Sequence, residues 1–418
     1  MTKKRIFAAM LAATIMINVT GCQFKYEEDE TKASAEDVTT EPTGAGTLRV
    51  LYNNKQYQPY LEKCKTEFEK ENGDVTIVLE FSDSTEYLEE ISKRSTGEGE
   101  TPDVYLIDNS NLGTAYLAGL ATKLNQSTDI AETFCETAIN ACSYNGNLVG
   151  YPLGFKTTFL AYNSAYIDEK VDFNIKEIMD YADNVEFEGT ENGLHIEKIF
   201  SCNLSDLFVN YGYVGGGIEI GGTFGSDVND FSVSNSSTIR AVNNYLDLIE
   251  FFSIDVDKKY EDVVKDFTGG KNVFAIMSTD SLTELEKVEG MEYVYCEFPD
   301  YNDSDKTAPL AVTSAVAVNP YSDTGVMSEK FAKYVAVTMA DELYKTTGIL
   351  SANSKVTMAN KEYAGIYESY MKSDNKNKYQ YGDQVYPLIE IALHNIIAGE
   401  DVEDELQSVD AYMKKQLK

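Results

Sequence analysis

The stretch from residue 144 to residue 163, YNGNLVGYPLGFKTTFLAYN, carries the most informative pattern in this 418-residue chain. Asn145-Gly146 is a strong signal for a tight turn. The residues from 147 to 155 are strand-like, although a glycine and a proline interrupt them, and residues 158–163 predict a further strand directly afterwards. The segment therefore predicts a turn followed by two consecutive strands.

Strands that alternate with helices are predicted on the N-terminal side of this segment. Apolar runs at residues 48–52, 75–81 and 102–107 predict three strands. Between the first two runs, helical spacing places four side chains on one apolar face: Tyr60, Leu61, Cys64 and Phe68. This alternation indicates the α/β class, with a mainly parallel sheet flanked by helices.

Two of the predicted strands end in polar loops. Asn53 and Tyr57 follow the first strand, and Asp108 and Asn109 follow the third. In sheets of this type, ligands bind beyond the carboxyl ends of the strands. Any one of these residues is accounted for by an ordinary polar loop, but two such loops at one sheet edge predict a binding site there.

Several motifs occur along the chain in an order that resembles a known family. They are Pro102-Asp103, Gly119-Leu120, Asn145-Gly146-x-Leu148-x-Gly150-x-Pro152, Tyr162-Asn163, Phe267–Ile276, Ala311–Val318 and Gly348–Asn353. Each motif alone is weak, but the order is similar to that of the extracellular solute-binding proteins of sugar ABC importers, the maltose-binding-protein-like group. The resemblance covers most of the chain from Thr47 onward.

This resemblance implies a two-lobe, periplasmic-binding-protein-like fold with a hinge that the chain crosses three times. We place the crossings near 150–152, near 308–311 and near Asn353. Residues 47–150 and 311–352 would form lobe 1, and residues 151–310 and 353–418 would form lobe 2. The family implies a monomer without cofactor or metal, which captures a carbohydrate, expected to be an oligosaccharide, in the cleft and delivers it to the transmembrane subunits of an ABC permease.

Candidate ligand contacts follow from the same resemblance. Phe155 and Lys156 occupy the end of the crossing strand, where the family often has an aromatic and an acidic contact. Lys156 departs from that pattern, so either the ligand carries an acidic group or Lys156 points to solvent. Ser278 and Asp280 lie in the predicted ligand loop, and Asp280 stands where the family frequently has a tryptophan.

Aromatic stacking must use other residues, because the chain has no tryptophan but 29 tyrosines. The candidate platforms are Tyr52, Tyr57, Tyr211, Tyr213 and Tyr386. Either the stacking platform is a tyrosine or a phenylalanine, or the ligand is not a sugar. Plain packing accounts equally well for any individual tyrosine.

The N-terminus resembles a bacterial lipoprotein signal. A basic start at Lys3 is followed by a short apolar run that ends in Val19-Thr20-Gly21-Cys22. An ordinary helix with a buried cysteine is the alternative. We expect a signal peptide over 1–21, lipidation at Cys22 and an acidic flexible tether over 22–46. The protein would then be anchored at the extracellular face of the cytoplasmic membrane, on the periplasmic side if an outer membrane is present.

Composition excludes several other functions. A formal charge of −34 argues against nucleic acid and anionic lipid as partners, and two histidines argue against histidine-based metal sites. The glycine-rich run 212–222 lacks the spacing of a phosphate loop, and residues 300–311 lack the glycine and glutamate of a calcium loop. No Gly-x-Ser-x-Gly motif is present, so we expect no enzyme.

Two alternatives to sugar capture stay open at this point. One is a solute-binding protein of the same fold for a polyamine or a peptide, and the other is an adhesive lipoprotein without a transport role. Five cysteines follow Cys22, so at least one is unpaired if the others form disulfides.

Overall fold

The computed structural model describes residues 46–167, 172–185, 196–222, 225, 227–375 and 384–417. The predicted signal peptide, Cys22 and nearly all of the predicted tether lie outside these residues. Within the described ranges, no helix has both the length and the apolar character needed to cross a membrane.

The first sheet is built mainly from the N-terminal part of the chain. Its strands are β1 (Gly46–Tyr52), β2 (Val75–Phe81), β3 (Val104–Asp108), β6 (Tyr151–Lys156), β13 (Leu310–Val318) and β14 (Leu350–Ser351), and a short β15 (Asp374–Asn375) pairs with β13. The spatial order is β14-β6-β13-β3-β1-β2. β1, β2, β3 and β6 point in one direction, whereas β13 and β14 are antiparallel to them.

Helices pack against this sheet through their apolar faces. They are α1 (Gln58–Glu71), α2 (Tyr87–Ser95), α3 (Asn109–Leu117), α4 (Thr128–Thr133), α5 (Glu136–Ala141), α12 (Gly325–Lys333), α13 (Ala340–Thr347) and α14 (Ser354–Thr357), with a 3-10 turn at Lys55–Tyr57 and a π-helical turn at Tyr334–Thr338. The predicted apolar face of α1 is buried, and Pro59 lies in its first turn. The predicted Asn145-Gly146 turn joins β4 (Ser143–Tyr144) to β5 (Asn147–Leu148), with both turn residues at positive φ.

The second sheet has four strands in the order β12-β7-β11-β8. They are β7 (Thr158–Asn163), β8 (Lys198–Ser201), β11 (Asn272–Ser278) and β12 (Tyr293–Cys296). Only β7 opposes the direction of the other three. Between β8 and β11 in the sequence, β9 (Glu219–Gly221) and β10 (Asp227–Ser232) pair antiparallel in a separate two-stranded sheet.

Further helices belong to the second lobe or to the hinge. They are α6 (Ile175–Asn184), α7 (Leu207–Asn210), α8 (Gly212–Gly215), α9 (Ser236–Phe252), α10 (Tyr260–Thr268), α11 (Leu282–Leu285), α15 (Ala364–Met371), α16 (Val385–Ile397) and α17 (Val402–Gln416), with 3-10 turns at Thr279–Ser281 and Lys361–Tyr363. Two α/β lobes confirm the predicted fold class. Both sheets are mixed, with antiparallel pairings of β13 and β14 in the first sheet and of β7 in the second.

The crossings between the lobes are short. Thr157 alone separates β6 of the first sheet from β7 of the second. The expected boundary at residue 150 assigned β6 to lobe 2, but β6 hydrogen-bonds to β13 and β14 in the first sheet. At the second crossing, Leu310 packs in the core of the second lobe and Ala311 in the core of the first.

Helix α15 packs against the second sheet and against the first lobe at the hinge. Its residue Gly365 lies so close to β12 that a Cβ there would be 2.5 Å from the carbonyl oxygen of Tyr295. Tyr370 of the same helix stacks on Phe155 of β6, with ring centroids 4.1 Å apart. The hinge is therefore held by apolar contacts as well as by the connecting strands.

Candidate functional site

The carboxyl-terminal edges of the two sheets meet at the first crossing. In the first sheet, Lys156 ends β6 at the edge where β1 and β3 also end. In the second sheet, Thr158 pairs with Ser278, the last residue of β11. Because a single residue separates Lys156 from Thr158, the strand ends of both lobes border one interlobe cleft. This is the edge at which ligands bind in parallel sheets.

An ion pair joins the two sides of this cleft. Lys156 Nζ lies 2.8 Å from Asp280 Oδ1. Both side chains keep solvent contact, with exposed fractions of 39% and 55%. Lys156 therefore stands at the cleft, paired with the loop that follows β11, and both members of the pair remain within reach of a ligand.

On the first-lobe side, Asp108 is part of a small polar cluster. Ser314 donates a hydrogen bond to Asp108, with 2.8 Å between Ser314 Oγ and Asp108 Oδ1. Burial raises the pKa of the Tyr57 hydroxyl, which lies beside Ser314 and Asp108. Asn53 is exposed at the same edge. Two predicted residues, Tyr57 and Asp108, are thus brought together with Ser314, which was not predicted, and Asn53 lies at the same edge of the sheet.

On the second-lobe side, Tyr260 connects the strand ends. Its hydroxyl accepts a hydrogen bond from the Ser278 N–H at 2.6 Å and lies 2.6 Å from Ser281 Oγ. Burial, more than any neighbour, raises the pKa of Tyr260 to about 12, and the nearby Asp280 and Asp206 carboxylates act in the same direction. Asp206 is exposed and caps α7 by accepting from the Phe208 N–H.

Asp206 and Tyr260 were not predicted from the sequence. Asp206 follows β8, which runs parallel to β11, so its position is another strand end at the same edge. The signal that could have found Asp206 is its N-cap position, since a carboxylate directly before a helix is a common start signal.

Four predicted contacts are buried away from the cleft surface. Asn109 is fully buried, and its Oδ1 accepts from the Thr313 N–H. Phe155 is 1% exposed, and Tyr370 covers one face of its ring. Tyr213 stacks on Tyr245 and meets Phe298 edge-on, inside the core of the second lobe.

Tyr386 is the fourth of these residues, and its ring lies 6.1 Å from that of Tyr211 in the same core. The predicted platforms Tyr52, Tyr57 and Tyr211 are also at most 3% exposed. These burials correct the expectation that one of the predicted tyrosines presents a face to a ligand, because packing covers the rings. The sequence shows that a residue is aromatic, but it does not show whether its ring is buried in a core.

Phe81 is an aromatic residue that the structure does expose at this edge. It ends β2, next to Tyr52, and is 37% exposed. Lys55 Nζ lies 4.8 Å from the centroid of its ring. The sequence places Phe81 at the end of a predicted strand. Phe81 was not predicted as a ligand contact because apolar strand residues are usually buried.

The described part of the chain contains no group of three or more His, Cys, Asp or Glu side chains that could hold a metal ion. Cys64, Cys135, Cys202 and Cys296 are free thiols. Asp300 and Asn302, from the rejected calcium pattern, accept hydrogen bonds from Thr307, Ser304 and Asp305 backbone N–H groups.

Residues 63–366 match the family model described as bacterial extracellular solute-binding protein. The chain belongs to this family. The predicted family resemblance is thereby confirmed. Two curated relatives from Bacillus subtilis (strain 168) are a maltodextrin-binding protein, 23% identical over 84% of this chain and 81% of the relative, and a galactooligosaccharide-binding protein, 21% identical over 99% and 98%.

Solved structures of similar fold support the two-lobe architecture of this solute-binding protein. An extracellular solute-binding protein from Staphylococcus aureus in complex with maltose gives a TM-score of 0.76 at 14% identity. A maltose-binding periplasmic protein from Listeria monocytogenes in complex with maltose gives 0.73 at 20% identity. In both comparisons, 89% of this chain and 97% of the other chain are covered.

Proposed function

We propose that this solute-binding protein captures an oligosaccharide in the interlobe cleft and delivers it to an ABC permease. The observation that carries the proposal is the opposed set of charged side chains at the cleft: Asp108 from the first lobe, Asp206 and Asp280 from the second, and Lys156 at the crossing between them. Carboxylates accept and ammonium groups donate, so together they satisfy sugar hydroxyls, which do both.

The relatives point to the same ligand class. The two curated relatives bind maltodextrin and galactooligosaccharide by name, and the two structural neighbours hold maltose. A sugar chain also needs apolar contact for the faces of its rings. The exposed ring of Phe81 at the end of β2 would supply such a contact in a chain without tryptophan.

Delivery would follow from closure of the lobes. A ligand that touches both lobes stabilises the arrangement in which both sets of contacts are made, and the permease would recognise that arrangement. Binding by a few charge-assisted hydrogen bonds would suffice for micromolar affinity, about −8 kcal/mol. The protein acts in this proposal as a carrier, without chemical change of the sugar.

The experiment is a calorimetric titration of the purified protein with maltodextrins and galactooligosaccharides, and in parallel with spermidine and short peptides. We expect binding of one sugar series, and a rise in thermal stability that corresponds to about 2.7 kcal/mol at a hundredfold excess over Kd. Binding of spermidine or peptide alone would contradict the proposal that the ligand is a sugar. Absence of binding with every probe would favour an adhesive role over transport.

We further propose that Cys22 carries the lipid that holds the protein at the membrane. The expectation rests on the apolar run and the Val19-Thr20-Gly21-Cys22 sequence. Replacing Cys22 by alanine in producing cells should abolish the incorporation of labelled palmitate into the protein. Cys64→Ala, at a buried free thiol, is the matched control and should leave labelling unchanged. Equal labelling of the Cys22 variant and the wild type would contradict the anchor.

A further inference from the structure

The ion pair between Lys156 and Asp280 is positioned by hydrogen-bonded backbone at the crossing between the lobes. Thr157, which forms this crossing, donates its N–H to Thr279 Oγ1 at 3.3 Å, and its carbonyl oxygen accepts from the Thr279 N–H at 3.0 Å. Lys156 directly precedes Thr157 in the chain, and Asp280 directly follows Thr279. The Asp280 N–H donates to Ser278 Oγ at 3.4 Å. The backbone therefore places the two side chains next to each other.

This placement determines what the Lys156 ammonium can offer a ligand. A free lysine in a cleft binds an acidic group as a charged donor. With 2.8 Å between Lys156 Nζ and Asp280 Oδ1, the ammonium already has a carboxylate partner. A carboxylate on a ligand would have to displace Asp280 or lie beside a like charge, which is unfavourable. A hydroxyl can accept from the ammonium and donate to the carboxylate while the pair stays intact.

The other charged groups at this edge favour the same ligand type near the crossing. Asp108 of the first lobe and Asp206 of the second are carboxylates and would also repel an acid. Lys55 is the exception, and its Nζ lies 4.8 Å from the centroid of the Phe81 ring. Lys55 follows β1, which is three strand positions from β6 in the sheet, or about 14 Å. Its charge is therefore remote from Lys156.

We propose that the pair of Lys156 and Asp280 makes the cleft selective for uncharged over acidic oligosaccharides, with Asp280 as the residue that excludes the acid. This inference rests on the proposed function, because it concerns the sugar carried in the same cleft. Selectivity of this kind comes from an unfavourable contact with the wrong ligand as well as from favourable contacts with the right one. Lys156 then acts as a paired donor to hydroxyls, which differs from both roles that the sequence left open.

The test is a calorimetric titration of the whole protein with four probes: maltotriose, galactotriose, and the form of each in which the C6 hydroxymethyl groups are oxidised to carboxylates. We expect the wild type to bind one neutral trisaccharide at least about 100-fold more tightly than its acidic form, which corresponds to two like-charge contacts of about tenfold each. Asp280→Asn frees the Lys156 ammonium and should lower this ratio at least about tenfold. Adding Lys156→Gln to that variant should remove the gained affinity for the acidic form.

Glu197→Gln is the matched control for the change in charge. It removes one carboxylate from an ion pair with Lys271, at 2.9 Å and outside the cleft, and should leave the ratio unchanged.

The outcomes separate this inference from sugar capture itself. The selectivity is wrong if the wild type binds the acidic and neutral forms equally well, or if Asp280→Asn keeps both the wild-type melting temperature and the wild-type ratio. It is also wrong if the gained affinity persists without Lys156. In these cases binding of the neutral sugar leaves the carrier function intact. If the wild type binds neither neutral trisaccharide, both the capture of these sugars and the selectivity are contradicted.

Discussion

Lys156 and Asp280 face each other across the lobes, with 2.8 Å between Lys156 Nζ and Asp280 Oδ1. Lys156 ends β6, the last strand of the first sheet before the crossing, and Asp280 follows β11, one of the two inner strands of the second sheet. An ion pair this exposed adds little to stability, typically about 0–1 kcal/mol. Its position at the strand ends of both sheets therefore points to ligand contact more than to folding.

Asp280→Asn should weaken oligosaccharide binding about tenfold, which corresponds to about 1.4 kcal/mol, because a neutral amide replaces a charged acceptor. The melting temperature should change little. Calorimetric titration and thermal unfolding of the same preparation measure the two effects.

Glu197→Gln is the matched control for that variant. Glu197 pairs with Lys271 at 2.9 Å with similar exposure, but Lys271 directly precedes β11 at the amino-terminal edge of the second sheet. It should leave binding unchanged. Equal loss of affinity in both variants would show that surface charge, and not contact at the cleft, controls binding.

Much of the fold was predictable because it rests on patterns of apolar residues. Residues 75–81 form a strand with the predicted bounds, and the Asn145-Gly146 turn forms where expected, since only a few residues tolerate positive φ. The boundary at 150 was wrong because the chain changes sheets after β6, and only Thr157 separates β6 from β7, so no linker in the sequence marks the crossing. Nothing in the sequence distinguishes a strand that completes the first sheet from one that begins the second.

The candidate site was predictable only in part. The positions of Asp108 and Lys156 at the sheet edge could be predicted because strand ends and chain order locate that edge, and their contact with a ligand stays a prediction. Phe155 and Tyr213 were misplaced because the side of a strand or helix that faces the core depends on tertiary packing. Asp206 was missed because its strand, β8, is only four residues long and gives a weak pattern.

Phe155→Ala should lower the free energy of unfolding by about 3–5 kcal/mol, because it removes a buried ring that stacks on Tyr370 at the hinge. Urea denaturation measures this effect. Phe251→Ala, at a 42% exposed ring of α9, is the control and should cost far less. The more conservative Phe155→Leu should leave oligosaccharide affinity within about twofold. A large loss of affinity with little loss of stability would restore Phe155 as a direct ligand contact.

Asp374→Asn should change how stability depends on pH. Burial raises the pKa of the half-buried Asp374 carboxyl from 3.8 to about 7, although the Tyr211 hydroxyl donates to it at 3.0 Å and favours the charged form. The folded state therefore holds this proton more tightly than the unfolded state. The free energy of unfolding should fall as pH rises from about 4 towards 7 and then level off. Urea denaturation at pH 5 and pH 8 should show a smaller fall in the variant than in the wild type.

Asp129→Asn is the control for this pH dependence, because the pKa of Asp129 is shifted in the opposite direction. The pKa of Asp129 is lowered to about 2, first by its hydrogen bond from Lys333, so its carboxyl is ionised in both folded and unfolded states between pH 5 and pH 8. Its replacement should shift stability equally at the two pH values. If Asp374→Asn behaves like Asp129→Asn, the Asp374 carboxyl titrates near its ordinary value and the proposed pH dependence is wrong.

Gly365→Ala should destabilise the protein by about 1–3 kcal/mol, since the added methyl group would lie 2.5 Å from the Tyr295 carbonyl oxygen and would push α15 away from β12. Gly325→Ala, at the start of helix α12, has no atom within 4 Å of the new methyl group and should be neutral or slightly stabilising. Urea denaturation of both variants measures the difference. Because α15 also carries Tyr370 against Phe155, we expect Gly365→Ala and Phe155→Ala to combine non-additively. Strict additivity would show that helix position and ring stacking act independently at the hinge.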